Sequence, residues 1–253
     1  INSGTTSSPV VITFGDDITL NSSSKYFIIG SEYITFDGGN YNVTIDGVFN
    51  YPGLVQNGTS SVNGNSNITI QNINVSTSNG STLALNKGWI CQDWFGRGIS
   101  TNSYINNCST DATCNSQIDI NTGLVCGSNT NRVICNNCSS AGTISGGGIF
   151  GRNCSNCQAN NCFSTGRIGG YNIFGSGGIF ASLNNNTNQA NNCYSMGDIY
   201  GSNSFGGGGI CGQDNSVVVT NCYSQGIIGF NGEKNCGGIF GTNSTGFATN
   251  CYS

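Results

Sequence analysis

Across residues 192 to 201 the chain reads NCYSMGDIYG, and from Cys193 onward the even steps hold Ser195, Gly197 and Ile199 while the odd steps hold Tyr194, Met196 and Asp198. Gly226 and Ile228 repeat the last two even positions one copy later. The odd positions vary freely: Thr165, Met196 and Gln225 share one slot, and Arg167, Asp198 and Ile227 the next. Restricted positions alternating with free ones mark a strand with one face buried. An apolar stripe at helical spacing is missing, and Gly and Asn at this density disfavour helices. The pattern predicts short strands joined by Gly and Asn corners.

The unit recurs. NCST (107–110), NCSS (137–140), NCFS (161–164) and NCYS at 192, 221 and 250 place Cys108, Cys138, Cys162, Cys193, Cys222 and Cys251 at intervals of 30, 24, 31, 29 and 29 residues. Between them runs a second motif: GWICQ (88–92), GLVCG (123–127), GGIFG (147–151), GGIFA (177–181), GGICG (208–212) and GGIFG (237–241). Two motifs in fixed order imply one supersecondary unit stacked on itself. With strands about 4.8 Å apart, this is a parallel β-helix, all-β, of about ten coils.

Stacking sets each residue above its counterpart, so the motif cysteine, the isoleucine six places later and the isoleucine of GGIFG form inward ladders. Cys91, Cys126 and Cys211 stand where the second motif otherwise has Phe, which reads as cysteine filling apolar space. The Asn before each motif cysteine (Asn107, Asn137, Asn161, Asn192, Asn221, Asn250) suits a corner, because Asn tolerates the left-handed conformation and its amide bonds from coil to coil. The same ladder admits disulfides, since the strand spacing falls inside the bridging window. All fourteen cysteines are candidates, Cys114, Cys135, Cys154, Cys157 and Cys236 joining those above, and the sequence assigns no partners. Eleven Asn-x-Ser/Thr sequons (Asn21, Asn42, Asn57, Asn67, Asn74, Asn79, Asn107, Asn137, Asn153, Asn185, Asn243) agree with an oxidising secretory route, although chance sequons are frequent in a chain with 40 Asn. Cys135-x2-Cys138 and Cys154-x2-Cys157 have zinc-ribbon spacing. Cys135, however, aligns with Ala159, Ala190, Val219 and Ala248, an apolar slot, and no metal is expected.

Residues 1–85 differ from 86–253. VVITFGDDITL, KYFIIGSEYITFDGGNYNVTIDGV and SNITIQNINV are alternating β-branched runs without cysteine, read as opening coils of the same solenoid with an aliphatic core. Both tryptophans fall in GWICQDWFGRG (88–98), where the halves join, and Trp94 is a candidate for packing or for carbohydrate contact. NITIQNINV and YITFDGGNYNVTIDG resemble the coils of pectate-lyase-like right-handed β-helix proteins. GGIFG followed by NCYSxGxI resembles the GLUG-type repeats of bacterial adhesins, and more so the cysteine-containing repeat proteins of amoebal giant viruses and some protists. The resemblance implies a right-handed coil and a surface or fibre setting, on a scaffold that also carries lyases.

Seven Lys and Arg, eleven Asp and Glu and no His give a net charge of -4, with no basic stripe for nucleic acid. Apolar runs such as Val10 to Phe14 fall far short of the roughly 20 residues of a membrane span. GSGGIFA and SFGGGG lack the Lys-Ser/Thr of a phosphate loop, and no GxSxG occurs. A β-helix lyase or hydrolase would need clustered acids. Those present are Asp16, Asp17, Glu32, Asp37, Asp46, Asp93, Asp111, Asp119, Asp198, Asp214 and Glu233. Asp37 and Asp46 could share a face, but DGG and DGV are ordinary turns; Asp93 near Arg97 is the one acid paired with a base beside aromatics. Directly after the motif cysteine, Phe163, Tyr194, Tyr223 and Tyr252 form an outward aromatic strip suited to sugar faces or a partner subunit, unless the parity is reversed or they cap a corner. The chain opens on Ile1 without an initiator Met, as after signal removal or in a partial chain, and stops in mid-repeat, so that more coils follow or copies meet head to tail. The expectation is a glycosylated, disulfide-reinforced fibre subunit on a cell or virion surface or outside the cell. It needs no cofactor and associates with itself. A carbohydrate-binding adhesin or polysaccharide-degrading enzyme is the second reading.

Overall fold

The computed structural model describes residues 5, 8–116, 119–169, 175–185, 187–200, 206–229 and 235–253. Among them lie nineteen short strands, numbered in chain order, and no helix, hence none long and apolar enough to cross a membrane. The first sheet holds β1 (Val10–Thr13), β4 (Ile34–Asp37), β7 (Thr69–Gln71), β9 (Ser103–Asn106), β11 (Val133–Asn136), β13 (Gln158–Asn160), β15 (Gln189–Asn191), β17 (Val218–Thr220) and β19 (Phe247–Thr249). The second holds β2 (Ile18–Leu20), β5 (Asn42–Asp46), β8 (Asn74–Ser78), β10 (Ser109–Thr110), β12 (Ser139–Ser140), β14 (Phe163–Ser164), β16 (Tyr194–Ser195) and β18 (Tyr223–Ser224). On a third, narrower face β3 (Phe27–Ile28) pairs with β6 (Val55–Gln56), and single bridges continue Val55–Cys91–Cys126–Phe150–Phe180–Cys211–Phe240. Every strand pairing is parallel, so the chain visits three faces and rises one strand per turn. This is a right-handed parallel β-helix, with nine strands ranked in its longest sheet.

Two interior columns face one another. On the first sheet the register aligns Phe36, Ile70, Ile105, Cys135, Ala159, Ala190, Val219 and Ala248. The third-face column is the bridged series above, and the two meet where the sulfurs of Cys126 and Cys135 lie 3.8 Å apart. Cys126 faces Cys135, and in the later coils the sizes trade off: Phe150 with Ala159, Phe180 with Ala190, Cys211 with Val219, Phe240 with Ala248. The backbone perimeter fixes the cross-section, and close packing then requires a large residue opposite a small one. This is why cysteine replaces Phe in some copies of the second motif.

The motif cysteines are a different case. Cys108, Cys138, Cys162, Cys193 and Cys222 are fully buried. Each of the last four donates its S–H to a carbonyl of the coil below: Cys138 to Ile105 (3.2 Å), Cys162 to Cys135 (3.4 Å), Cys193 to Ala159 (3.3 Å) and Cys222 to Ala190 (3.5 Å). A thiol fills apolar space and still supplies a weak donor, which neither alanine nor valine can do. Among the described residues no disulfide joins any of these cysteines. Four residues on, Gly197 stands above Gly166, where a Cβ would meet the Gly166 carbonyl oxygen at 1.8 Å, so this column admits only glycine.

Corners are built from left-handed residues. Asn107, Asn137, Asn161, Asn192, Asn221 and Asn250 all have φ of 53° or 54°, and the Asn137, Asn221 and Asn250 amides donate to the Asn one coil below. Just inside the corner, Asn136, Asn160 and Asn191 form a second amide ladder at 2.9–3.0 Å. The corner after the second motif uses Trp94, Asn129, Asn153, Leu183, Asp214 and Asn243, also at positive φ. Leucine is the wrong residue for that conformation and, at 37% exposure, gains little from burial. Leu183→Asn is therefore expected to stabilise the protein by about 0.5–1 kcal/mol, read as a higher urea midpoint with an unchanged slope.

Candidate functional site

The outward position after the motif cysteine carries Ser109 and Ser139 in earlier coils and then Phe163, Tyr194, Tyr223 and Tyr252, aligned by the second sheet's register. Successive ring centroids are 4.9, 5.0 and 5.2 Å apart, and the planes deviate by 2–5°. The strand spacing imposes this stack, which offset parallel rings favour. Ring faces are consequently covered by neighbouring rings, and the column offers the solvent its edges and hydroxyls. A column that presents edges rather than ring faces differs from the platform for sugar faces that the outward strip suggests.

The Trp94 corner is the second cluster. Trp94 adopts φ 59°, a genuine outlier for a bulky residue, and the Arg97 guanidinium lies 5.5 Å from its ring centre. Arg97 donates to the carbonyls of Thr59 (3.2 Å) and Ser60, pinning the loop that crosses above the corner. Asp93 pairs with Lys87 instead. The expected Asp93–Arg97 couple does not form, because the left-handed turn at Trp94 sends the two side chains apart.

The other acids serve turns. Asp37 ends β4 and accepts from the Gly39 amide and from Gln71 and Asn72; Asp46 ends β5 and accepts from Ser78 and Asn79. They lie in different sheets and share no face. Partial burial would raise Asp37, but its three donors outweigh that and hold it below the usual carboxylate range. The Ser78 and Asn79 donors likewise lower Asp46. Asp17, Asp111 and Asp198 accept from the amides of Asn42, Thr113 and Ile227. Asp119, only 7% exposed, accepts from the backbone amides of Asn86 and Asn121, a buried carboxylate with no local motif to mark it. Glu233 lies outside the described residues.

The thiols of the ribbon-like spacing point to separate backbone carbonyls, Cys154 to Gly151 and Cys157 to Thr130. Among the described residues no three His, Cys, Asp or Glu gather as metal ligands. Of the sequons, Asn21, Asn42, Asn79, Asn107, Asn137, Asn153, Asn185 and Asn243 are exposed, and Asn67 and Asn74 partly so. Asn57, by contrast with its expected place as a glycan acceptor, is 1% exposed, and its side-chain amide both accepts from and donates to the Asn65 backbone, closing a turn that leaves no room for a glycan.

Three-faced coils, inward ladders and amide-bonded corners define a β-helix repeat protein. Among solved structures the chain is similar to a crystallised Bacteroides ovatus protein described, as an unproven assignment, as an immunoglobulin A1 protease. The match covers 99% of this chain and 85% of that one at 18% identity, with a TM-score of 0.56, a likeness of fold alone. No protein-family model and no curated protein matches the chain.

Proposed function

We propose that this chain is a rigid structural rod, a subunit of a fibre or filament at a cell or virion surface, which associates with further copies of itself. The observation that carries the reading is where the outward side chains direct their bonds. The amide ladder of Asn136, Asn160 and Asn191 and the ring stack from Phe163 to Tyr252 both join coil to coil along the axis. Such contacts stiffen a rod and leave few groups free to converge on a substrate. A β-helix lengthens by adding coils, so head-to-tail association would extend both sheets and give an open filament. The likeness of GGIFG and NCYSxGxI to adhesin, giant-virus and protist repeats supports the surface setting, with glycans on exposed sequons such as Asn21 and Asn153. A protease role is not carried over from the Bacteroides protein.

Sugar binding remains the second reading on one observation, the half-buried Trp94 ring with Arg97 beside it. Electron microscopy of the purified protein tests the first: regular filaments are the expected result. Isolated short rods at all concentrations would remove the fibre reading and turn attention to glycan binding that Trp94→Ala abolishes.

A further inference from the structure

The tyrosine column has a chemistry of its own. Tyr194, Tyr223 and Tyr252 replace serine or asparagine at an outward position, so neither core nor corner requires an aromatic ring there. Their faces cover one another, and the atoms left open to solvent are the ring edges, which carry the hydroxyl and the two ortho carbons. Among the described residues their hydroxyls have no hydrogen-bond partner. Nearly parallel rings 5.0 and 5.2 Å apart hold the ortho carbons of consecutive tyrosines side by side. That arrangement makes a bimolecular encounter intramolecular and raises the effective concentration of the reacting atoms by orders of magnitude.

We propose that this column is a site of oxidative tyrosine coupling, in which Tyr223 becomes joined to Tyr194 or to Tyr252 and a carbon–carbon bond staples adjacent coils. A one-electron oxidant of the haem-peroxidase class, with hydrogen peroxide as terminal acceptor, removes one electron and the phenolic proton from each of two neighbouring tyrosines. The two radicals pair at their ortho carbons, and the hydrogens on those carbons move to the oxygens, restoring both phenols. The net change is the loss of two hydrogens from the protein and the reduction of two oxidant equivalents. Phe163, with no hydroxyl, ends the reactive run. Met196, the single methionine, is 51% exposed two residues after Tyr194 and reports whether oxidant reaches this face. The inference stands on the column's geometry and does not require that the chain form filaments.

The test treats the purified protein with a haem peroxidase and limiting hydrogen peroxide, then maps cross-linked peptides in the monomeric fraction. The expected result is a product two hydrogens lighter, joining the Tyr223 peptide to that of Tyr194 or Tyr252. Tyr223→Phe should cut this intramolecular product about tenfold or more, while Tyr41→Phe, at an exposed tyrosine elsewhere, leaves it unchanged. Unfolding in urea before oxidation should abolish the selectivity. Coupling spread over Tyr26, Tyr33, Tyr41 and Tyr104, coupling solely between molecules, or oxidation of Met196 without any tyrosine product would each overturn the proposal. Tyr223→Leu, checked for an unchanged circular dichroism spectrum and equally silent, confirms that the ring chemistry and not the fold is lost.

Discussion

Carried from about pH 7 to about pH 9.5 under reducing conditions, the folded protein is expected to lose on the order of 10 kcal/mol of stability and to unfold. The cause is the cysteine interior. Burial pushes the thiols of Cys91, Cys114, Cys135, Cys138, Cys154, Cys162, Cys193 and Cys211 above their ordinary range. The folded state therefore keeps these protons, while the unfolded chain releases them above its own thiol pKa of about 8.5. Their contribution is complete below that value and declines as pH rises, by about 1.4 kcal/mol per thiol and pH unit. Eight such groups acting together remove about 11 kcal/mol by pH 9.5, which is comparable with the 5–15 kcal/mol typical of a whole domain. Urea midpoints measured across this range check it. A flat profile would overturn this, because it would mean that the folded and unfolded states bind equal numbers of protons across the range.

A second large effect comes from the paired interior columns. Phe180→Cys empties space opposite Ala190 and should cost about 3 kcal/mol, while Ala190→Val alone should cost about 1–3 kcal/mol by overfilling the same layer. Together they recreate the small-with-medium pairing of Cys211 and Val219. The double variant is expected to be more stable than the sum of the single losses by about 1–3 kcal/mol. Strict additivity in a denaturation cycle would show that the two faces do not share one space.

Much of the fold can be read in the sequence because its signals are local and repeated. The two-residue alternation after Cys193 gives the buried face, and Asn192 and its counterparts give the corner, since only a residue tolerant of positive φ fits there. The size exchange between faces was hidden because Phe180 and Ala190 sit in different motifs and meet only across the lumen. Asp93 and Arg97 misled for the opposite reason. Their closeness in sequence spans Trp94, and one left-handed residue is enough to point neighbours apart. Asp37 and Asp46 straddle a corner, so proximity along the chain placed them on different faces. Asn57 matched a glycan acceptor by pattern alone, while its burial depends on Asn65, beyond any local motif.

The size exchange also bears on how such a chain can change over generations. Because large and small residues balance inside one coil, a coil can be duplicated or deleted as a block without forcing its neighbours to repack. Unequal recombination between near-identical repeats would then alter the length of the rod while leaving every layer intact, and copy number becomes a trait that selection can adjust far more freely than a compact core allows.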